Sequence, residues 1–157
     1  MATELTLITK ALYTDPYDQA LWFYFNLVVG SNLSTEGASR TSISARGPSV
    51  SGLQRLLLIL EGLQELLEDA ADCKWLLEAL VHHSMVALRI DSLITDEQKT
   101  EGPIEYSGMM HPIDRVGLMR TIEGWIGELH KLDPLRTNRW SHLGRRLAEL
   151  RANDEID

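Results

Sequence analysis

The chain has 157 residues, 44% hydrophobic and 24% charged, with a formal net charge of −8. That fits one soluble domain with a core of its own and excludes a nucleic-acid binder working by bulk attraction. The single cysteine, Cys73, excludes an internal disulfide framework and fits a reducing compartment. The N-terminal Met1-Ala2-Thr3-Glu4 has neither the basic nor the apolar part of a signal peptide, and the apolar run Leu56 to Leu60 is too short for a membrane span. The expectation is a cytoplasmic, mainly helical protein with no membrane span.

Leu5, Ile8 and Leu12 keep helical spacing and predict a first helix from about Thr3 to Tyr13, capped by Thr3. A second runs from Pro16 to about Val29 and ends at Gly30-Ser31-Asn32. Residues 31–49, rich in Ser, Thr, Gly and Ala, read as a flexible insertion. The third helix, from about Ser49 or Ser51 to Leu67, places Leu53, Leu56, Leu57, Leu60, Leu63 and Leu67 on one side. The fourth reaches from near Asp72 to about Asp91. Residues 94–111 read as a second flexible insertion. The fifth helix begins at Pro112, and the sixth carries Trp140, Leu143, Leu147 and Leu150. A polar tail, 152–157, is expected to fray. No stretch alternates as a strand does. Residues 1–151 thus form one helical-repeat domain.

One turn recurs. Asp15-Pro16, then five residues, then Trp22 returns as Asp133-Pro134 to Trp140. Pro fixes φ and lacks an N–H, which suits a first helical position, and Asp before it caps the free amides. A weaker copy lies at Leu66 to Trp75, where Asp72 is the expected cap ahead of Trp75. Trp22, Trp75 and Trp140 read as inter-helix packing groups. Taking a loop of about 20 residues out of the interval from Asp15 to Asp69 leaves about 34, the length of a two-helix solenoid repeat. The fold expected is all-α, a right-handed α–α superhelix of three antiparallel, tetratricopeptide-like pairs.

Candidate chemistry is sparse. His82 and His83 point about 100° apart on a helix and so do not chelate one metal as an i, i+4 pair would; they read as flanking the core. Cys73 falls at a predicted helix start beside Lys74, where a thiolate is favoured, but no patterned His and Asn or Asp accompany it. The carboxylates Glu61, Glu65, Glu68 and Asp69 read as a solvated face. No catalytic, cofactor or metal residue is expected in this chain. Lys131, Arg136, Arg139, Arg145, Arg146 and Arg151 make the end of the chain basic. They read either as a solvated face or, at Arg136, Arg139, Arg145 and Arg146, as a docking surface for an acidic partner.

The turn resembles the repeat of protein prenyltransferase α subunits. Ala11 to Tyr24 resembles a late repeat of the α subunit of the Rab, or type II, geranylgeranyltransferase. Leu66 to Leu77, with Asp72-Cys73-Lys74-Trp75, and Leu132 to Trp140 resemble the two repeats after it. The resemblance implies a helical scaffold wrapping a β subunit, which holds the zinc and the isoprenoid cavity. That complex transfers geranylgeranyl from geranylgeranyl diphosphate to C-terminal cysteines of Rab GTPases presented by a Rab escort protein. The family's earlier repeats have no counterpart before Met1, and Phe25 stands where the family often has His. No catalytic residue is carried over, and this chain alone is expected to be non-catalytic, like a C-terminal portion of such a subunit. The alternative reading is a stand-alone tetratricopeptide-like adaptor that binds a protein or peptide.

Overall fold

The computed structural model describes residues 2–38, 50–101 and 113–156. Among them are six α-helices and no strands: α1 (Ala2–Thr14), α2 (Gln19–Ala38), α3 (Val50–Asp69), α4 (Lys74–Glu101), α5 (Arg115–Leu132) and α6 (Thr137–Ile156). A short 3₁₀ turn, Pro134–Arg136, leads into α6. α1 packs on α2, α3 on α4 and α5 on α6, so the chain forms the helix pairs its turn pattern predicts.

The pairs are joined through α4, which packs against α2, α3, α5 and α6. The sequence shows why. Leu76, Leu77, Ala79, Leu80, Val81, Met85, Ala87, Leu88 and Ile90 are buried nearly all round this helix, as a helix enclosed by neighbours requires. One continuous core runs from Ile8 and Leu12 of α1 through α4 to Trp140 and Leu147 of α6. Each fully buried Leu here contributes about 1.5–3 kcal/mol of transfer free energy.

Helix limits differ from the sequence expectation in instructive ways. α2 continues past Gly30 to Ala38. A glycine inside a helix costs about 1 kcal/mol but does not end it where no αL cap forms. α4 continues from Asp91 to Glu101, just ahead of Gly102-Pro103 in the sequence. The parts of the two expected insertions at 31–38 and 94–101 are therefore helical, while the remainder lies outside the described residues. Pro112 also lies outside them. α5 starts at Arg115, where Asp114 accepts from the Gly117 N–H at 3.0 Å.

The polar end from Ala152 stays helical through Ile156 because it is tied down. Arg115 reaches both oxygens of Asp154, at 2.7 and 2.8 Å, together with Asp91 at 2.7 Å and the Leu88 carbonyl at 2.9 Å. One guanidinium so binds the far halves of α4 and α6 to the start of α5, using its planar fork of donors.

Candidate functional site

The three turns carry the residues the sequence marks, and their backbone hydrogen bonds fix the register. Asp15, Ala70 and Asp133 each donate their N–H to the carbonyl four residues back, at Ala11, Leu66 and Leu129, over 2.9–3.0 Å. The carbonyls of the same three residues then accept from Asp18, Cys73 and Arg136. Counting forward by the same seven residues reaches Trp22, Leu77 and Trp140, all fully or almost fully buried.

Two expectations are corrected by this register. In the middle turn Ala70 stands where Asp15 does, and Leu77 stands where Trp22 does. Asp72 and Trp75 lie at other positions: Asp72 is exposed and Trp75 is half-buried. The Asp-Pro pairs also do not start the α-helices. α2 begins at Gln19, and Asp18 is its cap, accepting the Ala20 N–H at 2.9 Å. Asp15 instead closes the turn by accepting from the Tyr17 N–H at 3.3 Å. Pro134 opens the 3₁₀ turn, and the Asp133 side chain makes no cap hydrogen bond to it. Cys73, which is equivalent to Asp18, occupies the cap position of α4.

The tryptophans lock their own turns. Trp22 Nε1 donates to the Pro16 carbonyl at 2.6 Å, and Trp140 Nε1 donates to the Asp133 carbonyl at 3.0 Å. Neither ring is open for a ligand to stack on, since Trp22 is 2% exposed and Trp140 is 0% exposed.

Side chains then tie each turn to the next. The Pro16 carbonyl also accepts the Cys73 thiol at 3.0 Å, and the Tyr17 hydroxyl donates to Asp72 at 2.6 Å. Lys74 reaches the buried Asp133 at 3.4 Å, and Arg136 approaches the same carboxylate at 3.6 Å. The cationic ends of Lys74 and Arg136 also lie 4.9 and 5.7 Å from the centre of the Trp75 ring, close enough for cation–π attraction. The turns therefore stack into a ladder. Tyr17, Asp18, Lys74 and Leu77 belong to it although the Asp-Pro-Trp pattern does not include them. Aligning the helix ends, in place of the tryptophans, is the signal that finds Leu77.

Other candidates are placed as follows. Burial pushes the Cys73 thiol up, and the sulfur faces the amides of Trp75 and Leu76 as well as the Pro16 carbonyl. His83 is buried, 2.8 Å from the Asn26 side-chain oxygen, and burial with the neighbouring His82 holds its pKa at about 3. Its ring also meets Phe25 edge-on, with centroids 5.8 Å apart. Among the described residues no group of three or more His, Cys, Asp or Glu could hold a metal ion. No helix among them is long and apolar enough to cross a membrane.

The basic residues divide. Arg136 pairs with Asp133, Arg139 with Glu78, Arg151 with Glu123 and Lys131 with Glu128. Arg145 and Arg146 make no ion pair among the described residues. Elsewhere an open groove of about 350 Å³ lies between α1, α2 and α3, lined by Leu5, Phe25, Leu58, Ile59 and Leu63 with Lys10 among its polar residues. The Tyr13 hydroxyl, also in its lining, donates to the Gly62 carbonyl at 2.8 Å.

Comparison with known proteins finds a distant relationship. The chain is 28% identical over 137 residues to the geranylgeranyl transferase type-2 subunit alpha of Schizosaccharomyces pombe. The aligned part is 82% of this chain and 37% of that protein. The chain therefore spans well under half the length of this relative. No family model and no solved structure matches. That match supports a weak relationship to prenyltransferase α subunits.

Proposed function

We propose that the chain serves as an α-type subunit, or a segment of one, in a protein geranylgeranyltransferase of the Rab type. In this reading its helix pairs scaffold a catalytic β subunit. The β subunit supplies zinc and the isoprenoid pocket. The complex moves geranylgeranyl from geranylgeranyl diphosphate to C-terminal cysteines of Rab GTPases brought by an escort protein. The observation that carries the reading is the relationship to the yeast α subunit over 82% of a chain that folds as stacked helix pairs.

The side chains support a scaffold over a catalyst. The one thiol is buried at a helix cap and bonded to a carbonyl, and His83 is held neutral in the core. Both are committed to packing, so the chemistry is assigned to the partner.

The test is reconstitution. The chain, a type-2 β subunit, an escort protein and a Rab substrate are mixed with labelled geranylgeranyl diphosphate. Transfer is expected with all components and not with the chain alone. Transfer by the chain alone would overturn the scaffold role. The groove between α1, α2 and α3 favours the alternative, a peptide-binding adaptor. A short peptide that binds there, with no β subunit bound, would support it.

A further inference from the structure

The most exposed stripe of α4 is Trp75, Glu78, His82, Val86, Arg89 and Leu93, at steps of three and four residues. α6 lies beside it. Both helices start at the turn ladder, where Lys74 meets Asp133, and Arg115 binds Asp91 and Asp154 in their far halves, so they run parallel. The Arg139–Glu78 ion pair fixes their register. Counting from that pair, Arg146 falls between the levels of His82 and Arg89.

This register places His82, Arg89 and Arg146 along the seam between α4 and α6. Among the described residues Arg89 and Arg146 make no ion pair, whereas Arg115, Arg136, Arg139 and Arg151 each do. Their charges also act on His82, whose affinity for a proton is lowered by burial, Arg146 and Arg89 against the opposing pull of Glu78. In a chain of net charge −8, two guanidinium groups on one seam with no ion pair among the described residues make a local positive site that attracts an anion.

We propose that the groove between α4 and α6 docks an extended acidic segment of a partner protein, with Arg89 and Arg146 each taking a carboxylate. Along the helix axes they are offset by four helical residues, about 6 Å, on neighbouring helices whose axes pack about 8–10 Å apart. Alternate residues of an extended segment share a face and recur about every 6.6 Å, so a run of carboxylates at every second position brings one within reach of each long side chain. A long polyanion such as nucleic acid would meet the net negative charge of the rest of the chain. The proposal does not depend on the transferase reading.

The test uses the full chain and a short fluorescein-labelled peptide of alternating Glu and Gly, followed by anisotropy at low salt. Binding is expected that weakens with added salt. The Arg89→Glu, Arg146→Glu pair should lower affinity at least about tenfold, and Arg120→Glu on exposed α5 should leave it unchanged. The alternating Gln and Gly peptide should not bind. Unchanged affinity in the reversed pair, an equal loss in Arg120→Glu, or tighter binding of a single-stranded RNA would each overturn the proposal. If circular dichroism shows the reversed pair unfolded, the milder Arg89→Gln, Arg146→Gln pair takes its place. It should lose affinity about threefold, and unchanged affinity there overturns the proposal equally.

Discussion

The Cys73 sulfur lies 3.0 Å from the carbonyl oxygen of Pro16, 57 residues earlier in the chain. Trp22 Nε1 donates to the same oxygen at 2.6 Å. One backbone carbonyl therefore holds the first turn closed and joins it to the second. Since burial raises the thiol and a hydrogen bond occupies it, Cys73 should react slowly with a thiol reagent such as Ellman's in the native state and at the ordinary rate in urea. Fast labelling of the native chain would contradict this placement.

The register of the turns predicts unequal costs for the three tryptophans. Trp22→Phe and Trp140→Phe each remove a buried donor and some core volume, and should cost about 1–3 kcal/mol in urea unfolding. Trp75→Phe, at the half-buried position, should cost less than about 1 kcal/mol. Equal losses at all three would mean that Trp75 is equivalent to the others.

Much of this arrangement is legible in the sequence. The leucine spacing of α3 and the repeated Asp-Pro-Trp segments mark helix pairs and two of the three turns. The middle turn misleads because its equivalent of Trp22 is an ordinary leucine, Leu77, while a tryptophan stands two residues before it. Helix ends are misread where polar residues remain helical. Asp154 shows why: its bond to Arg115 spans 39 residues, a contact that local periodicity does not contain.

Arg115 should therefore act as a clamp. Arg115→Met leaves Asp91, Asp154 and the Leu88 carbonyl without this donor, and should cost about 1–3 kcal/mol, since these groups are only partly buried. Hydrogen exchange should quicken in the last turns of α6 before the rest of the helix. Unchanged exchange there would remove the clamp.

His83 gives the fold an acid sensitivity. With a pKa of about 3 in the native state against an ordinary 6.5, the folded chain binds fewer protons than the unfolded chain between those values. Its contribution is complete above the unfolded value and is lost as pH falls toward 3, by up to about 1.4 kcal/mol per unit. His83→Gln, which keeps a partner for Asn26, should show a shallower fall of urea stability below pH 6. An identical slope would contradict the assignment.

Ser84 is fully buried, and its hydroxyl has no hydrogen-bond partner among the described residues. Removing an unpaired buried hydroxyl restores lost desolvation energy, and alanine also favours a helix. Ser84→Ala should stabilise the chain by about 0.5–1 kcal/mol, read as a higher urea midpoint. A clear loss of stability would mean that the hydroxyl is paired in solution.

The central claim is that these stacked helix pairs scaffold a prenyltransferase β subunit. Co-expression of the untagged chain with a tagged type-2 β subunit, followed by affinity capture and size exclusion, tests it most directly. The account predicts that the two chains elute together as an equimolar complex at both low and moderate salt. Elution of the chain by itself, folded by circular dichroism but free of the β subunit at either salt, would contradict it.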